Sequence, residues 1–236
     1  GVGPVSPFSE ALDPAIDDVS FTPIGATEEM TWKESLDANY TDGMLILHRG
    51  AIVYEYYSGC LDREGRHGAM SVTKSFVGTI AEILIAEGEL NESKLVGEYI
   101  PELETSAFGN ATVRQVMDMT TGLDYNENYA DPESDIWLYA AAGDPTPKAE
   151  SYKGPRNFYE FLQGVEPEGT HGEAFIYKSI NTDALAWVIA RATGKDFIEH
   201  LAERIWKPLG MEQEADMMID SLGTPFSAGG LSLSLR

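Results

Sequence analysis

The segment Met70-Ser71-Val72-Thr73-Lys74-Ser75 stands where a polar, glycine-containing stretch gives way to a helical pattern. After Ser71, apolar residues recur at helical spacing: Val72, Phe76, Ile80, Ile83 and Leu84. This spacing predicts a helix that begins near Ser71 and ends before Gly88. Because residues three positions apart lie on one face of a helix, Lys74 can reach the hydroxyl of Ser71.

A serine beside a lysine is one arrangement that produces a nucleophile. A serine hydroxyl attacks only when a neighbouring base removes its proton, and a lysine made neutral by burial or by nearby cations is such a base. The start of a helix also offers backbone N–H groups to a developing oxyanion. We therefore predict Ser71 as nucleophile and Lys74 as its base. The alternative, which the spacing alone favours, is a helix-capping serine beside a solvated lysine.

A second segment, Tyr177-Lys178-Ser179, carries groups that move protons. A tyrosinate near an ammonium group shuttles protons, and a following hydroxyl donates to a substrate or a leaving group. Taken by itself, such a segment is more often the ordinary end of a strand before a capped helix.

Charge and hydropathy exclude two kinds of partner. The chain carries 39 acidic and 16 basic residues, a formal net charge of −23. Such a surface repels phosphate backbones, so no nucleic acid is expected as a partner. No apolar run approaches the roughly 20 residues of a membrane helix, so no membrane span is expected. The sequence leaves the cellular compartment open.

The sequence lacks the residue patterns that other catalytic chemistries require. No serine lies in a Gly-x-Ser-x-Gly turn, and there is no glycine-rich phosphate loop. The single cysteine, Cys60, is expected to be a small apolar filler. No metal-ligand spacing relates the four histidines, which are His48, His67, His171 and His200. The sequence therefore predicts neither a metal nor a cofactor.

A small β portion is expected to precede a mostly helical middle. Residues 1–30 are expected to form an irregular arm, and the β-rich runs 44–47 and 52–57 indicate a hairpin. Two strands do not form a stable sheet alone, so further strands are expected elsewhere. Residues 124–154 are rich in Tyr, Asp, Gly and Pro and are expected to form a long ordered loop.

Caps and stops predict further helices. The expected starts are Thr112, Phe158, Asn181 or Thr182, and Asp196. The expected ends are marked by Gly122, Leu162, Gly194 and Pro208.

Three segments, taken in order, resemble one family. They are Met70-Ser71-Val72-Thr73-Lys74-Ser75, Val116-Met117-Asp118-Met119-Thr120-Thr121-Gly122 and Tyr177-Lys178-Ser179-Ile180-Asn181-Thr182-Asp183. Together they are similar to the serine β-lactamase, DD-peptidase and esterase superfamily. Within it, the runs 124–129 and 181–183 most resemble the 6-aminohexanoate-dimer (nylon oligomer) hydrolases. The resemblance extends from about Tyr40 to Arg236.

The resemblance implies an α+β, β-lactamase/DD-peptidase-like fold, with an antiparallel sheet flanked by helices and an all-helical lobe. On this basis residues 1–236 form a single serine-hydrolase domain. Residues 1–68 would supply the N-terminal arm and the hairpin, residues 69–205 the mainly helical lobe, and residues 206–236 a return towards the sheet.

The resemblance also implies roles for three residues. Ser71 attacks a carbonyl carbon and forms an acyl-enzyme, which water then hydrolyses. Lys74 and Tyr177 move protons, and the sequence leaves open which of them acts first. The backbone N–H of Ser71 supplies half of an oxyanion hole.

Three further residues are candidates for substrate contact. Tyr129 matches the family's loop tyrosine, which lies over the bound substrate. In the nylon-oligomer hydrolases the loop after that tyrosine supplies an acidic residue and a tryptophan, for which Trp137 and Asp144 are the candidates in this sequence. Ser179 stands where β-lactamases commonly have Asn, which favours an esterase or an amidase. Simple packing of the aromatic loop residues against helices is the alternative.

The family's third motif, a strand that contains Lys or His and ends in Gly, is expected after Ser227-Ala228-Gly229-Gly230-Leu231. The sequence stops at Arg236 before such a strand, so the C-terminal part of the sheet is expected to be missing from this chain. We interpret Arg236 as a trypsin-like cleavage site, with the protein's own C-terminal fragment as a candidate partner.

The leading functional hypothesis is hydrolysis of small ester or amide substrates through an acyl group on Ser71. An esterase is favoured slightly, while a β-lactamase and a 6-aminohexanoate-oligomer amidase stay open. A catalytically silent ligand-binding protein on the same scaffold is the non-enzymatic alternative. A structural or protein-interaction fragment is the third.

Overall fold

The structure is a computed structural model that describes residues 3–236. The chain divides into two compact units. Unit 1 comprises the residues up to His67, together with Trp206–Ala215 and Leu233–Arg236. Unit 2 comprises Gly68–Ile205 and Asp216–Ser232.

The regular elements of the described chain are short strands and mostly short helices. The strands are β1 (Ser9–Glu10), β2 (Ser20–Phe21), β3 (Met30–Thr31), β4 (Gly43–His48), β5 (Ala51–Tyr57), β6 (His67–Gly68), β7 (Asp216–Met217) and β8 (Leu231–Leu233). The α-helices are α1 (Trp32–Ala38), α2 (Val72–Ala86), α3 (Val96–Tyr99), α4 (Val113–Met117), α5 (Asp135–Gly143), α6 (Phe158–Gln163), α7 (Ile180–Thr193), α8 (Phe197–Leu201) and α9 (Lys207–Leu209). Pro14–Asp18 and Pro101–Leu103 are 3₁₀-helices, and Ala202–Trp206 is a π-helical turn.

The predicted hairpin is confirmed in unit 1. Strands β4 and β5 pair antiparallel, from Gly43 opposite Tyr57 to His48 opposite Ala51. The connecting residues Arg49 and Gly50 have φ of 51° and 80°, the left-handed conformation that suits a two-residue hairpin turn.

The N-terminal residues are more regular than predicted. Strand β1 pairs in parallel with β5, and β2 pairs antiparallel with β3. The expected irregular arm is therefore wrong for these segments. The pairing of β1 depends on a partner distant in sequence, which composition does not reveal.

Helices α2 and α7 form much of the interior of unit 2. Helix α2 buries Val77, Ile80, Ala81 and Leu84, and every residue of α7 from Ile180 to Ile189 is buried. The predicted caps Thr112 and Asp196 are confirmed, since each accepts a backbone hydrogen bond at the start of its helix. The predicted short helix at Phe158 is α6.

Several predicted boundaries differ from the structure; helix α4, for instance, ends at Met117 rather than at Gly122. Residues 124–154 contain helix α5, which buries Ile136, Tyr139 and Ala142 at helical spacing. Helix α7 begins at Ile180, with Ser179 at its N-cap, so neither Asn181 nor Thr182 is the cap. Pro208 lies inside α9, where a proline in the first turn lacks only an N–H that has no helical partner.

Within residues 3–236, none of the helices combines the length and the apolar character needed to cross a bilayer.

Arg236 and Glu55 form a buried ion pair within unit 1. The side chain of Arg236 is only 3% exposed, and that of Glu55 is 11% exposed. The guanidinium makes two hydrogen bonds with the Glu55 carboxylate and a third, of 2.8 Å, with Glu10. The bonds with Arg236 lower the pKa of Glu55 despite its burial. A two-point pair of this kind is strong because the geometry is fixed and the charges are shielded from water.

We predict that Glu55→Gln destabilises the protein by about 3 kcal/mol, because it removes the charge of the partner that makes two of the three hydrogen bonds of a buried guanidinium. Urea unfolding at pH 7 measures the loss. Because the pKa of Glu55 is lowered on folding, its contribution is complete above its ordinary value of 4.5 and fades as pH falls below it. The exposed pair between Arg63 and Glu10 gives the control, since Arg63→Met should cost less than about 1 kcal/mol. Equal losses in both variants would contradict the assignment.

Candidate active site

The turn before α2 places Ser71 at the start of the helix. Met70 has a φ of 46°, a left-handed conformation that is uncommon for a residue with a side chain. Ser71 is the N-cap residue of α2, but its side chain makes no capping hydrogen bond. The hydroxyl is therefore available to groups outside the helix.

Hydrogen bonds within unit 2 hold this turn in place. The Thr73 hydroxyl donates to the Met70 carbonyl over 2.7 Å and accepts from the Leu231 N–H over 3.3 Å. The Ala69 N–H donates to the Leu231 carbonyl over 2.8 Å. The strained residue thus lies in a turn that is tied at two points to the segment around Leu231.

Three of the predicted site residues meet at one oxygen atom. Lys74 Nζ lies 2.9 Å from Ser71 Oγ, and Tyr177 Oη lies 2.8 Å from the same atom. Lys74 Nζ also lies 5.1 Å from the centroid of the Tyr177 ring. A hydroxyl in this position can pass its proton to either neighbour.

The surroundings of Tyr177 favour its phenolate form. Burial alone would raise the pKa of Tyr177, but interactions with the Lys74 side chain and the Ser71 hydroxyl outweigh burial. The pKa consequently lies below the ordinary tyrosine value of 10. A lowered pKa increases the fraction of phenolate near neutral pH, which is the form that accepts a proton.

A backbone carbonyl is the second partner of Lys74. Nζ donates to the Ala228 carbonyl over 2.6 Å. The N–H groups of Ser227 and Ala228 donate to Asp183 Oδ1 over 2.7 and 3.2 Å. Asp183 belongs to α7 and is buried. Helix α7 therefore holds the segment that receives the Lys74 side chain.

Glu127 joins two of the predicted substrate-contact residues. Its carboxylate accepts hydrogen bonds from the N–H and the hydroxyl of Ser179, each of 2.7 Å. The Tyr129 hydroxyl donates to the same carboxylate over 2.7 Å. Burial, followed by this bond to Glu127, raises the pKa of Tyr129 to about 12. Tyr129 is therefore a neutral hydroxyl at physiological pH.

Aromatic side chains border a hollow beside Glu127. The rings of Tyr129 and Trp137 meet edge to face, with centroids 6.0 Å apart. Together with Ala130 and Pro132 they line a space of about 300 Å³. The indole N–H of Trp137 donates to the Asp131 carbonyl over 2.9 Å, which fixes the ring. This wall is partly exposed and can contact an apolar part of a ligand.

Lys178 and Asn181 make hydrogen bonds that hold the Tyr177–Asp183 segment in place. Lys178 is buried, and its Nζ donates to the Leu123 carbonyl, away from Ser71. The Asn181 side chain accepts from the Thr121 hydroxyl over 2.7 Å and donates to the Lys178 carbonyl over 3.1 Å. These bonds fix the backbone on which Tyr177 and Ser179 are carried.

Sequence reasoning singled out neither Glu127 nor Asp183 as site residues. Both lie in runs that carry the family resemblance, residues 124–129 and 181–183. Asp183 had one usable signal, a carboxylate at the head of the apolar stretch 184–190, which is unusual for a buried position. Glu127 had none beyond its place beside Tyr129.

Comparison with known proteins identifies the family. Residues 37–213 match the Beta-lactamase family, and the chain belongs to that family. It is 36% identical to the 6-aminohexanoate-dimer hydrolase of Paenarthrobacter ureafaciens, over 89% of this chain and 53% of that protein. Protein flp of Staphylococcus aureus (strain MW2) is 25% identical over 60% of this chain and 26% of its own length. The chain thus spans about half the length, or less, of these relatives.

Solved structures confirm a β-lactamase-like fold. The solved structure of a proposed 6-aminohexanoate-dimer hydrolase from Bacillus anthracis superposes with a TM-score of 0.90 and 33% identity. The match covers 100% of this chain and 61% of that one. A class C β-lactamase superposes with a TM-score of 0.59 and 20% identity, over 86% of this chain and 58% of its own. The predicted fold class is therefore correct.

We predict that Glu127→Gln lowers the pKa of Tyr129 from about 12 towards its ordinary value of 10, because the variant removes the negative charge that opposes the phenolate. An NMR titration with ring-labelled tyrosine measures this shift. Glu133→Gln, on the same loop, is the control and should leave Tyr129 unchanged. A Tyr129 titration that is identical in both variants would show that the carboxylate does not act on Tyr129.

Proposed function

We propose that this chain is the catalytic part of a serine hydrolase that cleaves small ester or amide bonds. In this proposal residues 1–236 contribute to one catalytic domain. The observation that carries it is the position of Ser71 Oγ, within 2.9 Å of both Lys74 Nζ and Tyr177 Oη. No purely structural role needs a lysine and a tyrosine on one serine oxygen at the start of a helix.

Acylation begins with transfer of the Ser71 proton to Tyr177, whose lowered pKa fits it for this step. Lys74 serves as the ammonium group that stabilises the phenolate, since it donates to both Ser71 Oγ and the Ala228 carbonyl. Ser71 Oγ bonds to the carbonyl carbon, and negative charge develops on the carbonyl oxygen. The Ser71 N–H and the N-terminal end of α2 stabilise that charge.

Collapse of the tetrahedral intermediate completes the acylation. The bond from carbon to the alcohol oxygen or amine nitrogen breaks, and Tyr177 returns its proton to the leaving group. Deacylation repeats the sequence with water as the nucleophile. Tyr177 takes a proton from the water and returns it to Ser71 as the acid product departs.

The surroundings of the serine favour a neutral or cationic substrate. Glu127 presents a carboxylate beside Ser179, and the whole chain has a net charge of −23. An anionic substrate is repelled by both. The aromatic wall of Tyr129 and Trp137 suits an apolar acyl or leaving group.

A linear amide is the second candidate substrate class. It is favoured by the 36% identity to a 6-aminohexanoate-dimer hydrolase. A β-lactam ranks lower, because the identity to a class C β-lactamase is only 20%.

We also propose that a C-terminal region, equivalent to the additional length of the relatives, acts as a partner of these residues. These would supply the second oxyanion donor, either in the same chain or as a separate C-terminal fragment. Comparing turnover by this chain with turnover by a chain extended to the relatives' length tests this proposal. Equal rates would contradict it.

We predict that Ser71→Ala lowers turnover of p-nitrophenyl butyrate by about 10³-fold or more, because no other group can form the acyl-enzyme. Ser75→Ala is the matched control, since Ser75 is an exposed serine on the same helix. Retained turnover in Ser71→Ala would contradict the proposal. Absence of turnover in the wild type, together with reversible ligand binding, would favour a silent binding protein.

We predict that Tyr177→Phe lowers kcat/KM by about 10²- to 10⁴-fold, the usual contribution of a general acid–base group. In the wild type, kcat/KM should rise with pH as Tyr177 ionises, and the rise should be centred below the ordinary tyrosine value. Steady-state rates from pH 5 to 10 provide the test. An unchanged pH profile in Tyr177→Phe would assign the proton transfer to another residue.

A further inference from the structure

We infer that Asp183 is a positioning residue for the proposed reaction, and that it acts on Lys74 through the backbone of Ser227 and Ala228. This inference rests on the proposed function. It adds a buried carboxylate that does not contact Ser71 and that the catalytic steps above do not use.

The geometry gives an unbroken path from Asp183 to Lys74. Asp183 Oδ1 accepts the N–H groups of Ser227 and Ala228, at 2.7 and 3.2 Å. The carbonyl of the same Ala228 then accepts from Lys74 Nζ at 2.6 Å. The carboxylate thus fixes the residue whose carbonyl orients the ammonium group, and its negative charge attracts that group.

Tyr139 completes the arrangement on the other side of the carboxylate. Its hydroxyl donates to Asp183 Oδ2. The Tyr139 side chain is 1% exposed and is packed by Phe158, Phe161 and Phe226. Since the ring is held by packing, it fixes the carboxylate in turn.

Retention of this carboxylate works against folding stability. Burial raises the pKa of Asp183 to about 7, although the bonds from Tyr139 and Ser227 oppose the rise. Between its ordinary value of 3.8 and 7, the folded protein binds the proton more tightly than the unfolded chain does. The free energy of unfolding therefore falls as pH rises through that range. A costly buried charge beside a reactive lysine is typical of a functional site.

The groups that face Asp183 come from several elements. A cavity of about 20 Å³ beside Asp183 is also lined by Tyr159 and Asp196. The titratable neighbours are Tyr125, Tyr139 on α5, Tyr159 on α6, Lys74 on α2 and Asp196 before α8. Of these, Lys74 is the cation whose charge stabilises the ionised form of Asp183.

Asp183→Asn separates charge from shape. The amide oxygen can still accept from Ser227 and Ala228, and the amide nitrogen can donate to the Tyr139 oxygen. We expect kcat/KM for p-nitrophenyl butyrate to fall about tenfold at pH 8.5. At pH 5.5, where the wild-type carboxyl is protonated, the two proteins should differ by less than about threefold. The melting temperature at pH 8.5 should be unchanged or higher.

Two further variants complete the test: one should shift the pH dependence, and the other is a matched control. Tyr139→Phe removes the donor to the carboxylate, so the loss of activity on acidification should begin at a higher pH than in the wild type. Asp220→Asn is the matched control, because Asp220 is a buried carboxylate that accepts from the Phe158, Leu222 and Thr224 N–H groups but not from Ser227 or Ala228. Its activity ratio to the wild type should not change with pH.

The outcomes are distinct. Wild-type turnover with no effect of Asp183→Asn, or with the same loss at every pH, would overturn the inference and leave the proposed function intact. A joint loss of activity and melting temperature would show a structural role instead. Wild-type turnover no higher than that of Ser71→Ala would contradict the proposed function itself, and the inference with it.

Discussion

The contact between Lys74 and the Ala228 carbonyl is the constraint on which the site depends. A lysine side chain is long and flexible, and it reaches a serine three residues earlier in a single geometry only when its amine is held elsewhere. The 2.6 Å bond to Ala228 provides that hold, and Asp183 in turn fixes the segment of Ala228. The position of the Ser71 hydroxyl is thus defined by helix α2 together with a distant part of unit 2.

Each unit contains buried charged groups, and the two units differ in how those charges are stabilised. In unit 1, the charges of Arg236 and Glu55 are compensated directly by two hydrogen bonds between them. In unit 2, the ionised form of Asp183 is stabilised only partly by its neighbours, and its raised pKa records the remaining cost. The first arrangement is structural, and the second fits the proposal that some stability is given up near Ser71 and Lys74.

The sequence predicted those features that depend on local spacing. The helix from Ser71, the hairpin of β4 and β5 and the cap at Thr112 each follow from residues a few positions apart. The resemblance nominated Tyr177 from a region distant in sequence, and the structure places it 2.8 Å from Ser71 Oγ.

The missed features depend on contacts between distant segments. Helix α5 lies in a stretch rich in Tyr and Gly, and its buried face is defined by packing with the aromatic residues of α6. Glu127 and Asp183 accept hydrogen bonds from backbone groups that are distant in sequence, and sequence periodicity does not predict such contacts. The parallel pairing of β1 with β5 likewise joins segments about forty residues apart.

The proposed activation of Ser71 as a nucleophile underlies every catalytic step described above. Intact-mass analysis after exposure to a fluorophosphonate, followed by peptide mapping, tests this activation without assuming a substrate. We expect one adduct per chain, located on the peptide that contains Ser71. An unmodified chain, or an adduct at another residue, would show that Ser71 is not an activated nucleophile.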